Sequence, residues 1–166
     1  MLDYPILLLF PAAMAYAAVT DVFTMTIPNR ISLALIATFP LAAFLAGLPM
    51  ATALMHLAAF AIVLAVCFTL FSFNLFGGGD AKLLAAASLW VGMDHLLPFI
   101  TLVVLCGGGV AVLFLAYRSM PVGALPMPDW AIRLHASGTG IPYGLAICAG
   151  GMLVYPKTEI FRALIV

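Results

Sequence analysis

The chain alternates long apolar runs with short stretches that carry its few charged side chains. A charged side chain is costly in hydrocarbon and a helix needs about 20 apolar residues to cross it, so charge-free gaps indicate membrane helices. The longest gap has room for two helices, because Gly47-Leu48-Pro49 is a natural break within it. The pattern predicts helices at residues 4–20, 29–46, 50–73, 80–93, 95–117 and 140–155. We therefore expect an all-α, polytopic membrane bundle of about six transmembrane helices, with the short fourth helix inside it.

One long polar stretch interrupts this series between the fifth and sixth predicted helices. It covers 118–139, is rich in Pro and Gly over 121–128, and contains an amphipathic piece at 130–135. Proline and glycine favour loops, and an amphipathic segment favours the membrane interface. The sequence therefore predicts a surface loop with a short interfacial helix on one side of the bundle.

Composition agrees with a membrane protein and excludes several other classes. The 166 residues are 66% hydrophobic and 7% charged, with a net charge of zero, and the mean hydropathy is +1.26. A soluble domain carries about 25% charged residues, so a soluble enzyme, a disordered tail and a basic nucleic-acid binder are excluded. The length fits one domain. We therefore expect a single integral-membrane domain at 1–166, with the lipid bilayer as its partner and no nucleic acid.

Neither the cysteines nor the histidines form a metal-binding pattern. The three cysteines lie in apolar runs without a CxxC pair, which is typical of buried thiols rather than of zinc ligands; they are Cys67, Cys106 and Cys148. The three histidines lie about 40 residues apart; they are His56, His95 and His135. A shared metal site would need all three to meet in the fold. We expect no metal site.

The basic residues predict the orientation of the bundle. Alternation of six helices puts the loops after the first, third and fifth on one face, and these loops carry Arg30, Lys82, Arg118 and Arg133. Basic residues mark the cytoplasmic side, so both termini are expected outside. No basic residue precedes Arg30, which argues against a cleaved signal peptide and for a retained first helix.

Two aspartates fall at the expected cytoplasmic ends of their helices. Asp21 closes the first predicted helix and Asp80 opens the fourth. Two adjacent carboxyls do not both ionise cheaply, so one keeps a proton while the other activates water as a general base. Taken singly, Asp21 also fits a charge that leaves the membrane, and Asp80 also fits a helix N-cap.

Distinctive segments lie beside both aspartates. Gly77-Gly78-Gly79 precedes Asp80, and three glycines permit positive φ and close backbone approach, although a flexible loop is the simpler alternative. Ile27-Pro28-Asn29 follows Asp21 and reads as a turn into the second helix, since proline is tolerated at a helix start. A second glycine run, Gly107-Gly108-Gly109, has no acid beside it and predicts close helix packing in the membrane.

Together these segments resemble the type IV prepilin peptidases. The matching pieces are Asp21 with Ile27-Pro28-Asn29, then Gly77–Lys82 as Gly-x-Gly-Asp-x-Lys, then Gly140–Gly144 opening the sixth helix. The third piece, preceded by Trp130 and Arg133-Leu134-His135, resembles the short branch that serves Tad/Flp-type pili. The resemblance implies an intramembrane aspartyl endopeptidase, related in mechanism to presenilin. It implies that the leader of a prepilin or pseudopilin is cut at the cytoplasmic face of the bacterial inner membrane.

The resemblance also assigns roles to residues. Asp21 and Asp80 would be the catalytic pair, Gly77 and Gly79 would shape the loop that presents Asp80, and we hypothesise that Lys82 orients nearby acid groups or lipid headgroups. The remaining motif residues would support the site: Pro28, Asn29, Pro142, Tyr143 and Gly144. The substrate would carry an apolar N-terminal helix in the bilayer, and no cofactor is implied.

The chain departs from the family pattern in two respects. The chain opens on the first helix without the paired CxxC motifs of longer family members, so methylation of the product is not expected. Its 22–26 stretch lacks the basic residues common in the family.

Two other functions are alternatives to a peptidase. A proton-coupled carrier would have acids at mid-depth and an internal repeat, neither of which is seen. A non-catalytic scaffold of a pilus or secretion assembly would tolerate loss of both aspartates. The particular substrate and the oligomeric state stay open.

Overall fold

The structure, a computed structural model, describes residues 3–120, 128–136 and 140–165, and all regular elements in these ranges are helical. The helices are α1 (Asp3–Thr24), α2 (Asn29–Leu45), α3 (Met50–Ser72), α4 (Gly78–Val91), α5 (Leu96–Ser119), α6 (Asp129–His135), α7 (Gly144–Val154) and α8 (Glu159–Ile165). A 3-10 turn, Tyr155–Lys157, joins the last two. The all-α prediction is confirmed for the described residues. Residues 121–127 and 137–139 of the predicted 118–139 loop lie outside them.

Three helices within the described part of the chain are long and apolar enough to cross a membrane. They are the 5–24 part of α1, α3 and α5, and α2 is a shorter apolar helix. Only 22% of the α3 span and 17% of the α5 span are buried inside the protein. Their remaining apolar surface suits lipid rather than water. A count of six spans and the orientation of the termini stay predictions.

The first helix extends further than its predicted end at residue 20. The hydroxyls of Thr20 and Thr24 donate to backbone carbonyls one turn earlier, so these polar side chains are satisfied within the helix. The helix ends at Thr24, and the next residue, Met25, has a positive φ of 55°. Asp21 therefore lies in the last turn of α1 and does not close the helix.

The short helix α8 was not predicted from the sequence. Thr158 precedes it and its hydroxyl accepts the backbone N–H of Phe161 at 3.4 Å, which is N-cap geometry. The Thr158-Glu159 pair is a local signal for a helix start, but a helix of seven residues is too short to show a clear hydrophobic period. Ile160 and Leu164 of α8 are buried against the bundle.

Helix α4 forms the centre of the bundle, as its short predicted length suggested. Residues 83–91 are buried all round the helix, and the small side chains of Ala85, Ala86 and Ala87 let neighbouring helices approach closely. Trp90 at its far end is fully buried and donates to the Leu35 carbonyl at 2.9 Å. This packing fixes the depth and rotation of α4, and with them the position of Asp80.

The glycine run in α5 packs closely at only one position. A Cβ at Gly107 would collide with the phenol ring of Tyr143, so this glycine is needed for contact between α5 and the start of α7. Within the described residues nothing lies within 4 Å of a Cβ at Gly108 or Gly109. The predicted close packing is confirmed at Gly107 and wrong for the other two.

Candidate active site

Asp21 is a buried carboxylate held by a backbone donor. Its side chain is 5% exposed, and the N–H of Gly144 at the start of α7 donates to its Oδ2 at 2.7 Å. A buried carboxylate without a donor would be strongly disfavoured, so this hydrogen bond is part of what permits Asp21 at this depth. The contact joins the ends of α1 and α7.

Asp80 lies in the first turn of α4 and not at its N-cap. Helix α4 begins at Gly78, and Gly77 is the N-cap with an extended backbone and no side-chain cap. The N-cap alternative for Asp80 is therefore wrong, and the predicted helix start at residue 80 is two residues late. The Asp80 side chain is half-buried and faces the cavity described below.

The glycines before Asp80 serve close approach rather than unusual backbone angles. Gly77 has φ −70°, and neither Gly78 nor Gly79 has positive φ, so that expectation is wrong. A Cβ at Gly77 would lie 2.6 Å from the Asp80 Oδ2. A Cβ at Gly79 would lie 3.3 Å from the Ile27 Cβ. The expected close approach therefore holds, and Gly79 brings the Asp80 turn against the turn after Asp21.

Both aspartates line one cavity of about 310 Å³. Residues from the two flanking turns complete its wall: Met25, Thr26, Ile27, Asn29, Gly77, Gly78 and Gly79. The fold thus brings together two carboxyls that are nearly 60 residues apart in sequence. The cavity is large enough for water and an extended piece of backbone.

The environment of Asp80 favours its protonated form. Burial, and after it the negative charge of Asp21, together raise the pKa of its carboxyl to about 7. Asp80 belongs to α4, outside the three helices long enough to cross a membrane. Near neutral pH the cavity therefore holds a carboxyl able to donate a proton.

Lys82 contacts Asn29 rather than either aspartate. Its Nζ donates to the Asn29 Oδ1 at 3.0 Å, and both side chains are exposed. Pro28, the other motif residue of this turn, is the N-cap of α2 with an extended backbone, one position ahead of the helix. The hydrogen bond joins the first residue of α2 to α4, two residues beyond Asp80, at the edge of the cavity.

The third motif forms the turn into α7 and reaches the site through Gly144. Its helix begins at Gly144 and not at the predicted residue 140. Pro142 explains the difference, because the residue before a proline rarely adopts helical backbone angles. Pro142 is buried, and Tyr143 packs edge-on against Phe76 with ring centroids 6.0 Å apart. Gly138, two residues before this motif, lies outside the described residues.

Helix α6 packs beside this end of the bundle. The guanidinium of Arg133 donates to the Phe23 carbonyl in the last turn of α1, and the Phe23 ring lies edge-on to Trp130. Arg118 donates to the carbonyls of Leu134 and Gly140, each at 2.9 Å. The amphipathic 130–135 segment is thus a helix as predicted, bound to α1 and α5.

Three residues near the site were not singled out from the sequence. Met25 and Thr26 line the cavity although the 22–26 stretch carries no charge, and Phe76 contacts Tyr143. Their only sequence signal is adjacency to the motifs. Hydrophobic residues in an apolar chain are not distinguishable from lipid-facing ones by pattern alone.

An apolar cavity of about 480 Å³ lies in the groove between α3 and α5. Val66 and Leu70 of α3 and Ile100 and Val104 of α5 line its sides, and Leu84 of α4 forms part of its wall. At one end it reaches Phe76 and Tyr143. These two residues immediately precede Gly77 and Gly144, so the groove adjoins the cavity of the two aspartates.

No group of three or more His, Cys, Asp or Glu side chains is placed to hold a metal ion among the residues that the structure describes. The groups available for chemistry at this site are the two carboxyls and the backbone amide of Gly144, which faces Asp21.

Comparison with known proteins gives one match. The sequence model of the type IV leader peptidase family matches residues 8–112, a stretch that includes Asp21, Asp80 and Lys82. The Gly140–Gly144 segment lies beyond the matched region. No curated protein and no solved structure matches the chain.

Proposed function

Because the chain belongs to the type IV leader peptidase family, we propose that it is an aspartic endopeptidase with Asp21 and Asp80 as its catalytic pair. The proposed substrates are Flp-type prepilins or pseudopilins, from which it removes the N-terminal leader. The observation that carries the proposal is the shared cavity that both carboxyls line at one end of the bundle.

The proposed reaction is hydrolysis of one peptide bond. The ionised carboxyl takes a proton from water as the water oxygen bonds to the scissile carbonyl carbon, and the protonated carboxyl gives its proton to the carbonyl oxygen. The C–N bond of the diol then breaks, and the leaving amine takes the proton that the first carboxyl received. One diol hydroxyl returns a proton to the second carboxyl, which restores the starting pair. The raised pKa of Asp80 supports this reaction near neutral pH, since one carboxyl must stay protonated.

The apolar groove supports a substrate with a membrane-embedded segment. We propose that the apolar N-terminal helix of the substrate lies between α3 and α5, with the scissile bond just beyond it in the cavity. The groove lining is apolar throughout, apart from the Tyr143 phenol at the end next to the cavity. The continuity of the groove with the turns that hold Asp21 and Asp80 favours this occupant over a lipid chain.

The proposed location is the cytoplasmic face of the bacterial inner membrane. Three of the basic residues that predict this orientation also contact the site end of the bundle: Lys82 binds Asn29, Arg118 binds the Gly140 carbonyl, and Arg133 binds the Phe23 carbonyl. The positive-inside rule then points the cavity to the cytoplasm.

The test is cleavage of a Flp-type prepilin by purified protein in detergent or lipid. Asp21→Asn and Asp80→Asn should each abolish leader removal, whereas Asp94→Asn, an exposed aspartate just beyond the far end of α4, should cleave normally. Thermal unfolding would verify that all three variants fold. Full cleavage by either cavity variant would contradict the proposed pair, and normal pilus assembly with both replaced would favour the scaffold.

A further inference from the structure

The Gly140–Gly144 turn provides the sole polar donor to the aspartate pair among the described residues. The Gly144 N–H donates to the Asp21 Oδ2 at 2.7 Å, and no donor within the described ranges lies at hydrogen-bond distance from the Asp80 carboxyl. The two carboxyls share one cavity but differ in this respect. An N–H donor favours the ionised form of the carboxyl that it faces.

The turn that carries this donor is anchored by contacts at Gly140 and Tyr143. Arg118 of α5 binds the Gly140 carbonyl at 2.9 Å. The Tyr143 ring is wedged between Gly107 of α5 and the ring of Phe76. An amide positioned in this way costs little reorganisation when charge appears in front of it.

The close approach of α7 to Asp21 also depends on the absence of a side chain at residue 144. A Cβ there would lie 2.9 Å from the Asp21 Oδ2, 3.0 Å from its Cβ and 3.2 Å from its Cγ. These separations are shorter than ordinary van der Waals contacts. Any larger residue would therefore push the carboxyl of Asp21 away from the amide or into the cavity.

Building on the proposed function, we propose that Gly144 is a positioning residue that makes the aspartate pair asymmetric. Its N–H favours the ionised form of Asp21, and Asp21 is the base that takes the proton from water. Asp80, which lacks a donor, is the acid that gives its proton to the scissile carbonyl oxygen.

No other charged group competes for this assignment. Asp80 is the one other titratable side chain that lines the cavity in the described part of the chain. Four cations bind other groups: Lys82 binds Asn29, Arg30 binds Tyr16, Arg133 binds the Phe23 carbonyl, and Arg118 binds the Leu134 and Gly140 carbonyls. Arg162 of α8 is exposed. His135 of α6 contacts the Met120 carbonyl. Helix α7 adds Cys148 one turn beyond Gly144, and Glu159 of α8 lies with Asp94 at the far end of α4.

The direct test observes the two carboxyls without relying on cleavage. The sequence has five aspartates, so a variant with Asp3, Asp94 and Asp129 changed to Asn keeps only the pair. With ¹³C-labelled aspartate side chains, two carboxyl signals are titrated by NMR and assigned through Asp21→Asn and Asp80→Asn. The Asp21 signal should lose its proton at a lower pH than the Asp80 signal. The reverse order, or coincident titrations, would overturn the proposal.

The amide itself is tested by replacing the Tyr143–Gly144 peptide bond with an ester, which removes the N–H and little else. The Asp21 titration should then move up by about one to two pH units, the size expected for a lost charge-assisted hydrogen bond. An unmoved titration in the folded ester protein would show that Gly144 acts only through shape. If the ester protein does not fold, the order of the two titrations in the parent still decides the matter.

Gly144→Ala separates positioning from general destabilisation. It keeps the N–H but crowds the carboxyl, so kcat should fall about tenfold or more with KM nearly unchanged, since small displacements of reacting groups are costly. Gly151→Ala in the same helix meets only the ends of the Met14 and Phe10 side chains, at 3.3 Å, and should keep kcat. Equal losses in both variants would contradict a specific role. The order of the two titrations can be measured whether or not the protein cleaves prepilins. Failure of this proposal is therefore distinguishable from failure of the proposed function.

Discussion

Lys82 and Asn29 are joined by a hydrogen bond of 3.0 Å across 53 residues of sequence. The bond links α4, just after Asp80, to the first residue of α2. Both side chains are exposed, so its contribution to stability is small, about 1 kcal/mol or less. Its position at the rim of the cavity gives it a geometric role, because it sets the separation of the two turns that flank the aspartates.

Breaking this link should reduce activity more than stability. We expect Lys82→Met and Asn29→Ala each to lower kcat/KM severalfold, and the double variant to lower it no further, because both changes remove one contact. Prepilin cleavage rates and thermal unfolding are measured for the parent, the two single variants and the double variant. Lys157→Met, in the 3-10 turn after α7, is the matched control. Full cleavage by Lys82→Met would remove the role given to this residue.

The three adjacent glycines before Asp80 should differ in their tolerance of a methyl group. Gly77→Ala places its Cβ 2.6 Å from the Asp80 Oδ2 and should lower kcat about tenfold, since the carboxyl must move. Gly78→Ala meets the exposed ring of Phe71 at 3.2 Å, which can turn aside, and should stay close to the parent. Cleavage kinetics of the two variants give the comparison. Equal tolerance would mean that the loop does not constrain Asp80.

Activity should decline as pH rises through about 7. The pKa of Asp80 is raised to about 7 by burial and then by the charge of Asp21, so its proton is lost above that pH. The same shift favours the folded state at low pH, and this stabilisation is lost as pH rises through the folded-state pKa. The basic limb of kcat/KM against pH measures the first effect.

Removing the charge of Asp21 should change the titration of Asp80. In Asp21→Asn we expect the pKa of Asp80 to fall, while burial still keeps it above the ordinary 3.8. Carboxyl NMR measures this in an inactive protein. An unchanged Asp80 titration would mean that the two carboxyls do not interact.

Filling the apolar groove should impair binding of a membrane-embedded substrate. Val66→Trp adds an indole to the groove lining and should raise KM severalfold with little change in kcat. Val112→Trp, on the exposed surface of α5 outside the groove, is the control. The comparison uses full prepilin and a short leader peptide without the apolar helix. Equal effects on the two substrates would place the membrane segment elsewhere.

A change at the far end of α4 should affect stability alone. Gly92 has φ +79° and a Cβ there would lie 2.7 Å from the buried His56 ring, whose Nδ1 contacts the Leu89 carbonyl. Gly92→Ala should lower the free energy of unfolding by about 1–3 kcal/mol through backbone strain and crowding. Unfolding in bicelles measures the loss, and the pH profile of cleavage should be unchanged. A shifted profile would reveal coupling along α4.

The sequence by itself determined the membrane class, the helical architecture and the residues worth testing. Charge is excluded from hydrocarbon, so the few charged residues, together with the Gly47-Leu48-Pro49 break, locate most of the helix ends within a few positions. The same scarcity draws attention to Asp21 and Asp80, since each stands beside a Pro- or Gly-containing turn. The errors fell at helix ends, where capping and short helices depend on local contacts that periodicity does not reveal.

Only the tertiary structure decided which groups meet. Gly144 reaches Asp21 across 123 residues, Gly79 lies against Ile27, and Lys82 turns to Asn29 rather than to an acid. Hydrophobic patterning tells which segments enter the membrane, but a helix that is apolar all round carries no signal for its own rotation or depth. Those are set by how the small residues of α4 let its neighbours pack. The proximity and the asymmetry of the two carboxyls are therefore properties of the packed bundle.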